Sequence, residues 1–226
     1  MEETNSVANE TVASGKNNKT IIFIICAVLL IAIAIGFFRI NGNAIVDQGN
    51  VNVVANTNNE MSIKNTQVLF KTSEGDIVME LYADKAPITV KNFLNYVDDG
   101  SYDGTVFHRV IDGFMIQGGG FDKNGKQRDT RDAIELESDN GLKNEEGTVA
   151  MARTSDPDSA TNQFFINTAD NIFLDYGYRD EGYAVFAKVI KGMDVVKKIE
   201  GVQITTKHGM GDWPVNDAVI ISVKRV

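Results

Sequence analysis

The chain of 226 residues carries two contrasting patterns of apolar and polar positions. From Ile21 to Phe38 it reads IIFIICAVLLIAIAIGFF, with no charge and no strongly polar group. At 1.5 Å per residue this run makes about 27 Å of helix, enough to cross a hydrocarbon core. The polar flanks at 1–20 and 40–65 offer nothing that would cover it as a buried helix of a folded core. A cleaved signal peptide would need a short basic leader and a small-x-small cleavage site. Here the leader contains Glu2, Glu3 and Glu10, and the run ends in Gly36-Phe37-Phe38-Arg39. The pattern predicts a polar tail at 1–19 and an uncleaved transmembrane helix at 20–38. Residues 39–65 are rich in Asn, lack Pro and show no helical period, which predicts a flexible linker with a reach of about 30 Å.

Alternation begins at Gln67 and predicts a folded domain over 66–226. QVLFKT and DIVMELY, joined by the Gly-containing SEG, read as a hairpin. APITVKNFLNYVDDG reads as a helix, with Pro87 in its first turn, Ile88, Phe93, Leu94 and Val97 on one side, and Gly100 as the stop. Further strands are predicted in TVFHRV, GFMIQG, AIELE, GTVAMAR, QFFINT, YAVFAKVI and DAVIISVKRV. A short second helix, MDVVKKIE, is predicted between Gly192 and Gly201. Many short strands with only two helices argue against an alternating βαβ sheet and for a closed or sandwiched β structure.

Composition narrows the chemistry. The formal net charge of -9 at pH 7 argues against a nucleic-acid partner. Cys26, the only cysteine, lies inside the apolar run, so there is no disulfide framework. Beyond it, His108 and His208 are the only remaining ligands of the usual zinc kind, and no metal or other cofactor is expected. Gly120 to Lys126, GFDKNGK, matches the start of a phosphate-binding loop. Gln127 stands where that loop needs Ser or Thr, however, and RDTRDA has no apolar helical face. Gly118-x-Gly120 has Lys123 where a dinucleotide fingerprint needs its third glycine. Both read as a solvated loop. Strand alternation turns His108 away from Arg109, so it reads as a structural or surface histidine and not as a base. Lys16 and Lys19 before the span, against Arg39 after it, favour a cytoplasmic N-terminus and an extracytoplasmic domain on a single-pass cell-membrane anchor.

Three apolar-rich segments each carry a few polar groups: FHRVIDGFMIQGGG, VAMARTSDPDSATNQFFIN and NIFLDYGYRDEGYAVFAKV. With F-H-R-V-x-x-G-F-M-x-Q-G-G followed by Q-F-F-I, the chain resembles a cyclophilin, a peptidyl-prolyl cis-trans isomerase, from about Gln67 to its C-terminus. The resemblance implies a mainly β fold, a closed eight-stranded antiparallel barrel capped by two α-helices, here preceded by one transmembrane helix. It implies Arg109 as the catalytic residue and a proline pocket formed by Phe114, Met115, Phe165 and Leu174, with Gln117 and Gln163 as polar neighbours. Ala152 and Arg153 would lie on the strand that pairs with substrate backbone. Arg153 replaces an asparagine common in eukaryotic members, at a position that works mainly through its main chain. Phe173 and Tyr183 line the same site where many eukaryotic members have tryptophan and histidine, and in this they resemble bacterial members. Losing the indole donor implies weak cyclosporin binding, and Trp213, in another loop, does not replace it.

The implied activity explains an arginine set among apolar residues. Rotation about X-Pro is slow because twisting the bond breaks amide resonance. A guanidinium aimed at the prolyl nitrogen, and not at a carboxylate, gains strength as that nitrogen regains its lone pair. The expected partners are proline-containing unfolded or extended polypeptides, and the expected role is assistance to the folding of exported proteins. The alternative is a peptide-binding or chaperone module with the same fold and incidental catalysis.

Overall fold

The computed structural model describes residues 66–226. The expected tail, transmembrane helix and linker at 1–65 lie outside the described residues. Among those that are described, no helix is long and apolar enough to cross a membrane.

Strands β1 (Gln67–Thr72) and β2 (Gly75–Leu81) form the expected hairpin. The Thr72 hydroxyl closes its turn, donating to the Gly75 carbonyl at 2.6 Å and accepting from the amides of Glu74 and Gly75. Helix α1 (Pro87–Asp98) opens on a proline, whose missing N–H would have no intrahelical acceptor in any case. Val90, Phe93, Leu94 and Val97 are buried, whereas Ile88, expected on the same side, is 40% exposed in the first turn.

Ala86, the residue before α1, has no side chain that can cap it. The Glu137 carboxylate does so from afar, accepting from the amides of Ile88 and Thr89 at 3.0 and 2.7 Å. An anionic acceptor there satisfies orphan donors and meets the positive end of the helix dipole, worth about 1 kcal/mol. The cap also accounts for a corrected expectation. AIELE, residues 133–137, is not a strand; it makes only one isolated bridge, Ile134 with Ala160. Its alternation arises because Ile134 packs on the core while Glu137 reaches α1.

The remaining strands of the main sheet are β3 (Thr105–Val106), β4 (Arg109–Ile111), β5 (Met115–Gly118), β6 (Thr148–Met151), β7 (Phe164–Asn167), β8 (Val185–Lys191) and β11 (Val219–Arg225). They form an antiparallel sheet in the order β3-β11-β1-β2-β8-β6-β7-β5-β4. Its two edge strands are separated in the chain only by Phe107 and His108, so the sheet must curl until those edges lie within about 10 Å. The expected closed barrel of eight strands is corrected accordingly: the ladder is open and has nine strands. The single strand expected in TVFHRV is broken at Phe107-His108 because its halves pair differently, β3 with β11 and β4 with β5. Neighbouring pieces of one strand cannot form a ladder with each other.

Inside the curl, Phe164 meets Phe70 at 5.5 Å and Phe93 at 5.9 Å, and Phe93 meets Phe186 at 5.0 Å between ring centroids. Helix α2 (Met193–Glu200) adds Val196 and Ile199 to the same core. It is entered through Gly192 at φ 88, a left-handed position where a Cβ would strike the Asp76 carbonyl. A second hairpin, β9 (Ile204–Lys207) with β10 (Met210–Pro214), lies outside the main sheet. No apolar alternation foretells it. Its hold on the domain is Trp213, which is fully buried.

Candidate active site

The cavity grows out of strand register. Along β5, β7 and β6, the core takes Ile116, Phe164, Ile166, Val149 and Met151. The residues between them must face the other way. Met115, Phe165 and Ala150 therefore form a second apolar cluster, joined by Leu174 and Val185. Cross-strand pairing aligns this outer face. Arg109 is opposite Gln117, Gln117 opposite Phe165, and Phe165 opposite Ala150. Residues in register share a face, so one row across four strands sets a guanidinium, an amide and an aromatic ring side by side.

A cavity of about 300 Å³ opens on this row, lined by Arg109, Phe114, Met115, Gln117, Ala152, Arg153, Phe165, Leu174 and Tyr183. Two residues expected at the site stand just outside the lining. Gln163 lies behind Gln117, accepting from its amide nitrogen at 2.9 Å. Phe173 lies against Phe114 at 5.5 Å and carries the Arg179 guanidinium 5.2 Å above its own ring.

Arg109 donates from Nη1 to Gln117 Oε1 at 3.5 Å, a long contact, and its side chain is 44% exposed. The expectation that it faces no carboxylate is corrected. Asp212 Oδ2, on β10, lies 3.7 Å from Arg109 Nε. Arg153 also does more than present its main chain. Its side chain is 5% exposed, and it donates to the Gly182 carbonyl at 2.9 Å and to Asp180 Oδ1 at 3.2 Å. Its guanidinium lies 4.7 Å over the Tyr183 ring, which in turn meets Phe165 edge-on at 5.6 Å. Arg153 thus fixes one wall of the cavity. Gly182 permits that wall's tight turn, since at φ 65 a Cβ would come within 2.5 Å of the Tyr176 amide nitrogen.

A buried amide network holds the opposite wall. Asn171 donates to the Phe114 carbonyl at 2.8 Å and to Asn167 Oδ1 at 2.8 Å. Asn167 donates to Asn144 Oδ1 at 3.2 Å, and Asn144 to the Leu174 carbonyl at 3.0 Å. The backbones that carry Phe114 and Leu174 are therefore tied to each other. Sequence reasoning missed this network; the only signal for it is that its three asparagines fall close to apolar runs. The GFDKNGK stretch is a turn, with Asp122 Oδ1 accepting from the Asn124 and Lys126 amides, and no helix follows it. Among the described residues no cluster of three or more His, Cys, Asp or Glu is placed to hold a metal ion.

Three comparisons bear on what this cavity does. Residues 67–225 match the family model described as cyclophilin type peptidyl-prolyl cis-trans isomerase/CLD. The chain is 55% identical over 159 residues to peptidyl-prolyl cis-trans isomerase A of Dickeya dadantii, covering 70% of this chain and 84% of that one. It is 56% identical over 160 residues to peptidyl-prolyl cis-trans isomerase B of Escherichia coli, covering 69% of this chain and 97% of that one. Among solved structures, a cyclophilin type peptidyl-prolyl cis-trans isomerase of Cryptosporidium parvum superposes with a TM-score of 0.60 at 26% identity, covering 72% of this chain and 98% of that one. The structure of that protein in the presence of the dipeptide Ala-Pro matches with a TM-score of 0.58 at 28% identity, covering 70% and 96%.

His108, beside Arg109, is buried, which favours the structural over the surface reading. Its ring meets Phe121 at 4.8 Å and Trp213 at 5.9 Å, and its Nδ1 has no hydrogen-bond partner. Burial holds its pKa down to about 4, with hydrogen bonding to Val106 and Gln163 partly opposing and the Arg109 charge adding to the depression. The folded protein therefore disfavours the proton that the unfolded chain takes up near pH 6.5. Stability from this group is fully present above pH 6.5 and is lost as pH falls toward 4, by up to roughly 3 kcal/mol. Denaturant titrations of wild type and His108→Gln between pH 7 and pH 5, where carboxylates stay ionised, are expected to show a fall in stability for wild type only. An equal slope in both would contradict the assignment.

Proposed function

The chain belongs to the cyclophilin-type peptidyl-prolyl cis-trans isomerases and has their activity, and we propose that Arg109, poised over the cavity of Phe114, Met115, Phe165 and Leu174, is the group that lowers the rotation barrier. The observation that carries this reading is the register row in which Gln117 stands between Arg109 and Phe165, with the guanidinium at the mouth of an apolar hollow.

The X-Pro ground state is a planar amide held by a barrier of about 18 to 20 kcal/mol. As the bond twists, resonance is lost, the prolyl nitrogen becomes pyramidal, and a lone pair reappears on it. A donor aimed at that nitrogen is worth little in the planar state and much at the twisted one, so it acts on the transition state selectively. Arginine suits this because it keeps its charge and presents its donors as a rigid fork. Phe114, Met115 and Phe165 hold the pyrrolidine ring still while the residue before it swings. They also displace water, which strengthens the guanidinium's interaction. Ala152 and Arg153 offer backbone to the substrate strand, and Gln117 steadies Arg109. No bond is made or broken, so neither a nucleophile nor a titrating base takes part. The substrates proposed are extended segments containing proline, with weak cyclosporin binding because Phe173 lacks an indole N–H.

A charged hydrogen bond contributes about 1.5 to 3 kcal/mol. Arg109→Ala in the full-length chain is therefore expected to lower kcat/KM for a proline peptide by roughly tenfold to a hundredfold, with an unchanged circular dichroism spectrum. Activity at the wild-type level in a folded variant sinks the assignment.

The apolar run at 21–38 and the Asn-rich stretch at 39–65 support a further reading, that the domain is tethered to a cell membrane on its extracytoplasmic side and assists folding of exported chains. Protease added to intact cells should release the domain. Complete protection, with cytoplasmic markers also intact, rules that topology out.

A further inference from the structure

We infer that Asp212 is a positioning residue for Arg109, holding the ε side of the guanidinium so that its terminal nitrogens are presented to the substrate. This rests on Arg109 being the group that acts on the prolyl nitrogen. Asp212 Oδ2 lies 3.7 Å from Arg109 Nε, while Nη1 faces Gln117 Oε1 at 3.5 Å. The two contacts bracket the guanidinium from different edges. Among the described residues, Arg109 is the one cation in ion-pair range of Asp212, since Lys207 on the same hairpin is taken by Asp217 at 2.8 Å.

The placement is built into the hairpin. The β9–β10 register shifts between Met210 and Trp213, and Asp212 sits in this irregularity at φ 58, in the left-handed region. Aspartate tolerates that conformation better than most residues, but a strained position of this kind persists only when its surroundings enforce it. What enforces it is the next residue. Trp213 is fully buried, donates from Nε1 to Asp217 at 2.7 Å, and packs its ring 5.9 Å from that of His108. His108 and Arg109 are neighbours, as are Asp212 and Trp213. The two buried rings meet on one side, and the two charged groups beside them meet on the other. The aromatic contact thus carries the carboxylate to the arginine, and bending the backbone at Asp212 aims it.

The carboxylate does not line the cavity. It therefore acts through Arg109, on the rate and not on substrate affinity. With side chains 44% and 42% exposed, the pair is screened by water and salt, so its effect is modest. In the full-length chain, Asp212→Asn, which keeps shape and tolerates the left-handed backbone, is expected to lower kcat about two- to fivefold with KM nearly unchanged. Asp212→Gly, which relieves any strain, is expected to give the same loss, so a folding defect in one variant leaves the other to decide. The deficit should shrink as salt is raised from about 0.01 M to about 1 M, where the screening length falls to about 3 Å. A merely structural defect would not respond to salt in this way. Unchanged or higher kcat, a loss carried by KM, or a deficit indifferent to salt overturns the inference. If Arg109→Ala also remains fully active, the fault lies in the assignment of Arg109; if Arg109→Ala is impaired and Asp212 variants are not, only the positioning role fails.

Discussion

Strand register constrains everything at this site. Each of β5, β7 and β6 has a core face and a cavity face, and alternation makes one the consequence of the other. Burying Phe164 and Ile166 turns Phe165 outward; burying Ile116 turns Met115 and Gln117 outward. A slip of one residue would bury Gln117 and expose Phe164. The hydrophobic energy that selects the register, about 25 cal/mol per Å² of apolar surface buried, is thus also what sets Arg109, Gln117 and Phe165 in a row. The geometry of this row has no separate source of order on these strands.

Loops do need such a source, and they have it. The Asn144–Asn167–Asn171 chain of amides ties the backbones of Phe114 and Leu174, and the Arg153 guanidinium ties the loop that ends in Tyr183. Buried polar groups are costly unless satisfied, and here each donor is matched to a backbone or side-chain oxygen. The result is an apolar hollow with rigid walls, and a charged group at its rim that is half in water. That balance matters. A fully buried guanidinium would demand a permanent carboxylate partner, whereas one in open water would lose most of its interaction to solvent. At 44% exposure and with only long contacts to Gln117 and Asp212, Arg109 keeps donors free for a substrate.

Much of this was legible in the sequence. Alternation in QFFINT and GFMIQG predicts the strands, the family resemblance of those motifs and the FHRV stretch brings the row residues to notice, and the helices at Pro87–Asp98 and Met193–Glu200 follow from proline, glycine and period. What escaped has a common physical origin. Asp212 lies far along the chain from Arg109, on a hairpin without apolar alternation, and reaches it through a left-handed backbone that sequence does not announce. AIELE alternates because one residue meets the core and another caps a remote helix, a pattern indistinguishable from a strand until the fold is known. The broken strand at Phe107-His108 likewise depends on which partners each half finds. Local periodicity reports faces; it does not report who sits opposite.

The central claim is selectivity for the twisted amide over the planar one, and a measurement on the bound peptide separates the two. Exchange NMR on a proline peptide mixed with the full-length protein gives its affinity and its on-enzyme isomerisation rate independently. Replacing Arg109 by Lys keeps a charge but removes the rigid fork. The account predicts that Arg109→Lys slows on-enzyme exchange at least tenfold while the peptide Kd stays within about a factor of two. A variant that binds proportionately weaker and exchanges at the wild-type rate once bound would contradict it.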